Sequence, residues 1–362
     1  MQIPPPAERK DGMVKKLLYG MLAFSVAGFV LDLVGANPVL IFIFAALGLI
    51  PLADLIGEAT EELALYVGPR LGGLLNATLG NAAELIITIF AINQGLLDLV
   101  KASITGSILG NLLLVLGLST LVGGIKNGVQ TFDRRQAALN ATMLILAVAG
   151  LTIPSFFSPA IEPNVVAETL FNEGIAAVLI LIYALSVVYS LTTNGGPHSR
   201  ESAIPHETRW SLPRSLITLA LATVGTALLS EVLVGVVEHV TAALGMTEIF
   251  IGIIIIPLVG NVAEHVVAVE VALKNDMELS LAVSLGSSLQ VALFVAPVLV
   301  FVSLLFSNTL LLIFTTFELG VLFAASLIAA LIALDGESNW LEGAQLLTLY
   351  LIVALAFFFL PG

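Results

Sequence analysis

GNAAEL, residues 80–85, lies inside LLNATLGNAAELIITIFAI, residues 74–92, a run that otherwise reads as hydrocarbon. An amide and a carboxylate, Asn81 and Glu84, are costly in the middle of a bilayer-length apolar run unless something compensates them. The reading of the stretch therefore turns on whether that carboxylate is alone. It is not. Setting Gly80 on Gly260, a displacement of 180 residues, aligns the next 38 residues of the two segments without a gap. Asn81 then falls on Asn261, Glu84 on Glu264, and Gly106-Ser107 on Gly286-Ser287. Apolar composition alone would align leucines with valines, whereas two rare polar signatures in one register mark an internal repeat. The preceding spans correspond at a displacement of 177, where Asp54, Glu61 and Glu62 meet Glu231, Glu238 and His239.

Composition places the whole chain in a bilayer. Of its 362 residues 58% are hydrophobic and 11% charged, against about 25% charged in soluble domains, and the mean hydropathy is +1.07. Repeated apolar runs of about 20 residues exclude a closed barrel and indicate a helical bundle. There is no cysteine, which excludes disulfides, thiolate metal sites and cysteine nucleophiles. The net charge of −13 argues against nucleic-acid partners. The opening MQIPPPAERKDGMVKK reads as a short basic tail rather than a cleavable signal.

Hydropathy with Gly, Pro and charge punctuation predicts eleven spans, near 17–34, 38–56, 71–92, 99–122, 136–153, 173–192, 213–236, 249–273, 279–305, 309–333 and 344–360. With a cytoplasmic N-terminus, Arg9, Lys10, Lys15, Lys16, Arg70, Lys126, Arg134, Arg135, Arg200, Arg209, Arg214 and Lys274 fall on the inner side and Lys101 alone on the outer, as the positive-inside rule demands. The acidic loop with Glu162, Glu168 and Glu173 falls outside, the polar stretch at 192–210 inside. The predicted fold is an all-α polytopic membrane protein: a tail and extra helix (1–36), a five-helix repeat (37–192), a cytoplasmic linker (193–212) and a second five-helix repeat (213–362). Five is odd, so the second repeat enters the membrane from the opposite side. The short loops and compact ends suit a prokaryotic cell membrane, with the C-terminus external.

Inversion lets Glu84 and Glu264, each mid-helix, approach across a pseudo-two-fold axis. A divalent cation compensates two such carboxylates, and so does a proton on each, but not both fully at once; that competition is a basis for exchange. Gly80 and Gly260 are expected to weaken each helix where carbonyls would turn to an ion, with Pro257 loosening the second further. Asn81, Asn261, Ser107 and Ser287 offer neutral oxygens, making a hard site suited to Ca²⁺, with Mn²⁺ or Cd²⁺ as alternatives. Each residue also has a structural reading: interhelical hydrogen bonds for the asparagines, small-residue packing for the serines, and a place in a hydrogen-bond network for His265. Glu270 and Glu318 lack a repeat partner and read as structural. Glu58, Glu61 and Glu62 on one side, with Glu231 and Glu238 on the other, would concentrate cations at the two mouths.

The paired GN-x-A-E segments, GSILGNLLLVLG from residue 106 and GSSLQVALF from residue 286, resemble the two alpha-repeats of the cation/proton exchanger (CAX) branch of the Ca²⁺/cation antiporter superfamily, over residue 38 to the C-terminus. The resemblance implies Ca²⁺ export driven by inward protons, with Glu84 and Glu264 as central ligands, no cofactor beyond the transported ions, and a lipid bilayer as environment. His265, after the second glutamate, is similar to the branch's GN-x-x-E-H pattern and implies protons as counter-ion, with Gln290 as the polar residue of the second repeat. Lys101 stands where a glutamine is expected in the first, and the long acidic cytoplasmic segment of some members is absent. A Na⁺-coupled Ca²⁺ exchanger of the same superfamily and, more remotely, a cation channel remain alternatives. An intramembrane hydrolase is disfavoured, because no H-E-x-x-H helix is present and no oxyanion donors are evident.

Overall fold

The computed structural model describes residues 6–161, 164–192 and 210–360. Fourteen helices follow in order: α1 (Pro6–Leu33), α2 (Pro38–Val67), α3 (Pro69–Leu79), α4 (Ala82–Asn93), α5 (Leu97–Asn127), α6 (Arg134–Ile161), α7 (Val165–Thr192), α8 (Leu212–Gly235), α9 (Val237–Leu244), α10 (Glu248–Gly260), α11 (Val262–Leu273), α12 (Met277–Ser303), α13 (Thr316–Asp335) and α14 (Trp340–Phe359). Among the described residues nine helices are long and apolar enough to cross a membrane, or ten if α9 and α10, bent by 111°, are counted as one span.

The apolar runs around the two glutamates are not single helices. The run expected at 71–92 is broken into α3 and α4, and that at 249–273 into α10 and α11. The breaks centre on Asn81 (φ −97°, ψ 21°) and Asn261 (φ −112°, ψ 11°), while Gly80 keeps ordinary helical angles (φ −55°, ψ −40°). The expected weak point thus shifts from the glycine to the asparagine, whose short amide tolerates non-helical backbone. Each break leaves terminal carbonyls and N–H groups outside the helical ladder.

Elsewhere polar side chains correct the predicted boundaries. Residues 309–315 belong to an extended segment, not to the tenth span. Leu310, Leu312 and Phe314 are buried in alternation, and their N–H groups donate to Ser303 Oγ, Asn172 Oδ1 and Ser155 Oγ. The buried backbone is thereby satisfied without a helix. The helix α13 starts only at a capping box made by Thr315 and Glu318. The acidic loop expected between the fifth and sixth spans is also shorter than predicted. Glu168 and Glu173 lie in α7, with Glu168 buried and accepting from Ser158, while Glu162 and the linker at 193–209 lie outside the described residues.

The enclosed centre is formed by α5 and α12, each carrying a π-helical turn, Gly110–Val115 and Val291–Val295. The helices α1, α2 and α8 pack together, α2 between its neighbours, and α2 and α8 lie against the broken segments, α8 on α4 and α2 on α4, α10 and α11. The α1–α2 crossing is close: Ser25 Oγ donates to Gly48 O at 2.7 Å, and a Cβ on Gly48 would meet Ser25 backbone at 2.6 Å. At the face bearing Lys126, Arg134, Arg135, Arg214 and Lys274, called here the basic face, β1 (Gln130–Thr131) pairs antiparallel with β2 (Glu337–Ser338). This joins the α5–α6 and α13–α14 loops. At the opposite face Asn308 Nδ2 donates to Ile92 O, tying the α12–α13 segment to the end of α4.

Candidate functional site

The two helix breaks meet, and each glutamate begins the helix after its break. Glu84 lies in the first turn of α4 and Glu264 in the first turn of α11. Each packs on the glycine of the other segment. A Cβ on Gly260 would stand 2.9 Å from Glu84 Cγ, and one on Gly80 would stand 3.5 Å from Glu264 Oε1 and 3.9 Å from Gln290 Oε1. Gly260 serves by its lack of a side chain, which lets Glu84 lie against its backbone, whereas the gap between Gly80 and Glu264 is an ordinary van der Waals contact.

The polar atoms cross the same junction. Glu84, 3% exposed, accepts at Oε1 from Ser107 Oγ and from Asn261 Nδ2, both at 2.5 Å. Asn81 Nδ2 donates to Gln290 Oε1 at 2.7 Å, and Asn111 Nδ2 donates to Ser287 Oγ at 2.9 Å. Each asparagine spends its N–H₂ on a protein acceptor and so turns its carbonyl oxygen elsewhere. Among the described residues Asn81 Oδ1, Asn261 Oδ1 and Glu84 Oε2 are buried acceptors without a donor. A cluster of buried oxygens lacking donors is the reverse of what a hydrogen-bonded core contains, and it is what a hard cation coordinates.

A cavity of about 1170 Å³ reaches this junction. Its inner wall includes Gly80, Gly260, Glu264, Ser287 and Gln290, and its lining continues to Glu58, Glu61, Gln136 and Ser190 at helix ends of the basic face. Glu58 and Glu61 belong to the last turns of α2, which runs 30 residues through Pro51 and so spans ~45 Å, more than a ~30 Å hydrocarbon core needs. Glu264 is half-buried and faces the cavity, and Glu270, paired loosely with Lys274 at 3.9 Å, lines it too.

Other expected residues lie apart. Glu62 is buried and accepts from Trp210 N at 3.2 Å, so it anchors the chain entering α8 instead of lining a mouth. Glu231 and Glu238 are exposed toward the opposite face. His265 follows Glu264 but is not part of the cavity lining. Lys101 pairs with Asp98 at 2.7 Å, away from the junction; the polar residue of the first segment is Asn111, in the π turn of α5. Ungapped sliding sets Asn111 on Val291, so only its rarity in an apolar run marked it. Glu318 caps α13 and accepts from Thr105 at 3.2 Å.

Comparison with known proteins meets the same segments. A family model described as sodium/calcium exchanger protein matches residues 37–192 and 214–359. The chain belongs to that family, in its cation/proton exchanger branch. A Ca(2+)/H(+) antiporter of Aphanothece halophytica is 42% identical over 95% of this chain and 97% of its own length. The Ca(2+)/H(+) antiporter ChaA of Bacillus subtilis is likewise 42% identical, over 92% of this chain and 97% of its own length. The solved structure of native YfkE superposes with a TM-score of 0.81 at 39% identity, covering 94% of this exchanger and all of that chain. Within the family the matched residues contain both breaks and both glutamates of this exchanger.

Proposed function

We propose that this exchanger moves Ca²⁺ out of the cytoplasm in return for protons, by alternating access, with Glu84 and Glu264 as the carboxylates that hold either the metal or protons. The observation that carries the reading is the reciprocal junction: two carboxylates on opposing glycines, with amide oxygens and Glu84 Oε2 lacking donors. The relatives named Ca(2+)/H(+) antiporter support the pair of ions. Asn81, Asn261, Ser287 and the carbonyls at the breaks complete an oxygen shell. Ser107 acts on Glu84, orienting the carboxylate through its hydroxyl.

In this reading the chain makes eleven crossings, each broken pair (α3–α4, α10–α11) counting as one, and α2–α7 and α8–α14 are inverted repeats. The basic face is cytoplasmic, as are the N-terminus and the cavity mouth, in the cell membrane of a prokaryote; the C-terminus is external. Glu58 and Glu61 raise the local cation concentration on the way in. Ca²⁺ displaces protons from the pair, α2 and α8 move together to close the cavity, and protons from the far side expel the metal. The mutual packing of α2 and α8 supports their moving as one unit. So does the tie at Trp210, which Tyr66 and Glu62 hold to α2 and whose ring lies 4.5 Å from the Arg214 guanidinium of α8.

The test is stoichiometric coupling. In proteoliposomes carrying an internal pH dye, adding Ca²⁺ to wild type should move protons the opposite way, with no dependence on Na⁺. Proton movement that requires Na⁺, or Ca²⁺ entry without any proton movement, contradicts the reading.

A further inference from the structure

A second group of buried polar atoms lies away from the cavity. Ser119 and Thr120 of α5, Gln130 of β1, Ser280 and Ser284 of α12 and Ser338 of β2 are each 2% exposed or less. Among the described residues Ser119 Oγ, Thr120 Oγ1, Gln130 Oε1, Ser280 Oγ, Ser284 Oγ and Ser338 Oγ have no hydrogen-bond partner. None of these residues lines the cavity. Their elements enclose one wedge. The second half of α5 packs on α11 and on the first half of α12, and the start of α12 packs on β1, which pairs Gln130 with Ser338.

Serine in a helix ordinarily returns its hydroxyl to the carbonyl four residues back, and Ser288 does so, donating to Ser284 O at 2.9 Å. Ser280 and Ser284 make no such bond. They are not part of the cavity lining, although Val283 and Ser287, three residues on from each along the same side of the helix, are. The Gln130 amide is oriented by its nitrogen, which donates to Ala272 O at 2.9 Å and Asn275 Oδ1 at 3.1 Å. Its oxygen is thereby presented inward, over Gly123, where a Cβ would collide with it. Leaving hydroxyls and an amide oxygen buried and unbonded costs free energy at each, and bound water is the usual remedy where several lie together. Ser287, one turn on from Ser284, accepts from Asn111 and borders the cavity, so the wedge ends at the cation site.

We propose that this wedge is a water-filled passage, separate from the cavity, through which protons pass between the basic face and the Asn111–Ser287 side of the cation site. Each water takes one proton and releases another, so no bond is left changed and no co-reactant is needed. The six lining residues are neutral, which suits a transient proton and gives a divalent metal no carboxylate. The inference rests on the exchange reading above.

Two uptake assays on reconstituted protein separate the passage from the metal route: radiolabelled Ca²⁺ uptake driven by a pH gradient, and Ca²⁺ self-exchange at equal pH, which needs no net proton movement. Ser119→Ala with Ser284→Ala should lower the first by about tenfold, an order of magnitude less than removing a proton-transfer group itself, and leave the second at the wild-type rate. Ser284→Thr, which keeps a hydroxyl, should retain both. Unchanged rates in both assays, or equal losses in both, overturn the passage while leaving the exchanger intact. A wild type that shows self-exchange but no gradient-driven uptake overturns the exchange reading, and the passage with it.

Discussion

Gly260→Ala probes the junction where it is tightest. The added Cβ would stand 2.9 Å from Glu84 Cγ, whereas aliphatic carbons rest about 3.5–4.0 Å apart, so the carboxylate side chain must retreat by about 0.6 Å or more. Glu84 Oε1 is held by Ser107 Oγ and Asn261 Nδ2, each at 2.5 Å. Those donors come from different segments, α5 and the α10–α11 break, so the retreat lengthens at least one bond to about 3.1 Å or beyond, the edge of good geometry. Losing a hydrogen bond to a charged group is worth about 1.5–3 kcal/mol, which is about ten- to a hundredfold in affinity. The assay is the half-saturating Ca²⁺ concentration for pH-driven uptake in proteoliposomes, which should rise by that factor. Gly286→Ala is the control: it also lines the cavity, yet a Cβ there meets nothing within 4 Å, so its half-saturation should match wild type. A Gly260→Ala protein that half-saturates at the wild-type concentration refutes the reasoning.

Three further outcomes follow from particular contacts. Gly106→Ala would set a Cβ 2.5 Å from Ile253 Cα, forcing α5 away from α10; a loss of about 1–3 kcal/mol or more is expected for such overpacking, read as a lowered midpoint in thermal size-exclusion profiles, and an unshifted midpoint would count against the close crossing. Asn111→Ala, Ser287→Ala and their double variant should show a coupling of about 1 kcal/mol in apparent Ca²⁺ affinity, and strict additivity would mean the bond does not shape the site. Glu318→Gln should transport at the wild-type rate with at most about 1 kcal/mol lost in stability, because glutamine also closes a capping box; abolished uptake would place Glu318 on the ion path.

The membrane class and the paired glutamates were legible because charged and amide residues are rare in apolar runs, and their recurrence in one register stands out against leucine and valine. The glycines next to them were legible as special but for a different reason than the one found: Gly260 makes room for Glu84, while Asn81 and Asn261 carry the backbone break. Gly106 and Gly286 look equivalent in the alignment, yet one touches the α10 backbone and the other faces the cavity. Sequence symmetry does not report which way a helix face is turned. Residues 309–315 passed for helix because Leu310 to Phe314 is an unbroken apolar run that hides the alternate burial of Leu310, Leu312 and Phe314; the side chains that satisfy its backbone, Asn172 and Ser155, lie 140 and 159 residues away from their partners. Asn111 escaped because the ungapped register sets it on Val291, one residue away from Gln290. The buried hydroxyls of α5 and α12 that lack a partner carry no sequence signal, because serine and threonine in an apolar helix ordinarily bond their own backbone.

Gradient-driven uptake of radiolabelled Ca²⁺ by wild type, Glu84→Gln and Glu264→Gln in proteoliposomes tests most directly the proposal that the two carboxylates are a shared metal and proton site. Uptake in wild type that follows the pH gradient, is indifferent to Na⁺ and disappears in both variants is the expected result, since each glutamine keeps the shape but can neither take up a proton nor neutralise the metal. Wild-type uptake persisting in either variant would show that the buried carboxylates are structural and that exchange occurs elsewhere in the chain.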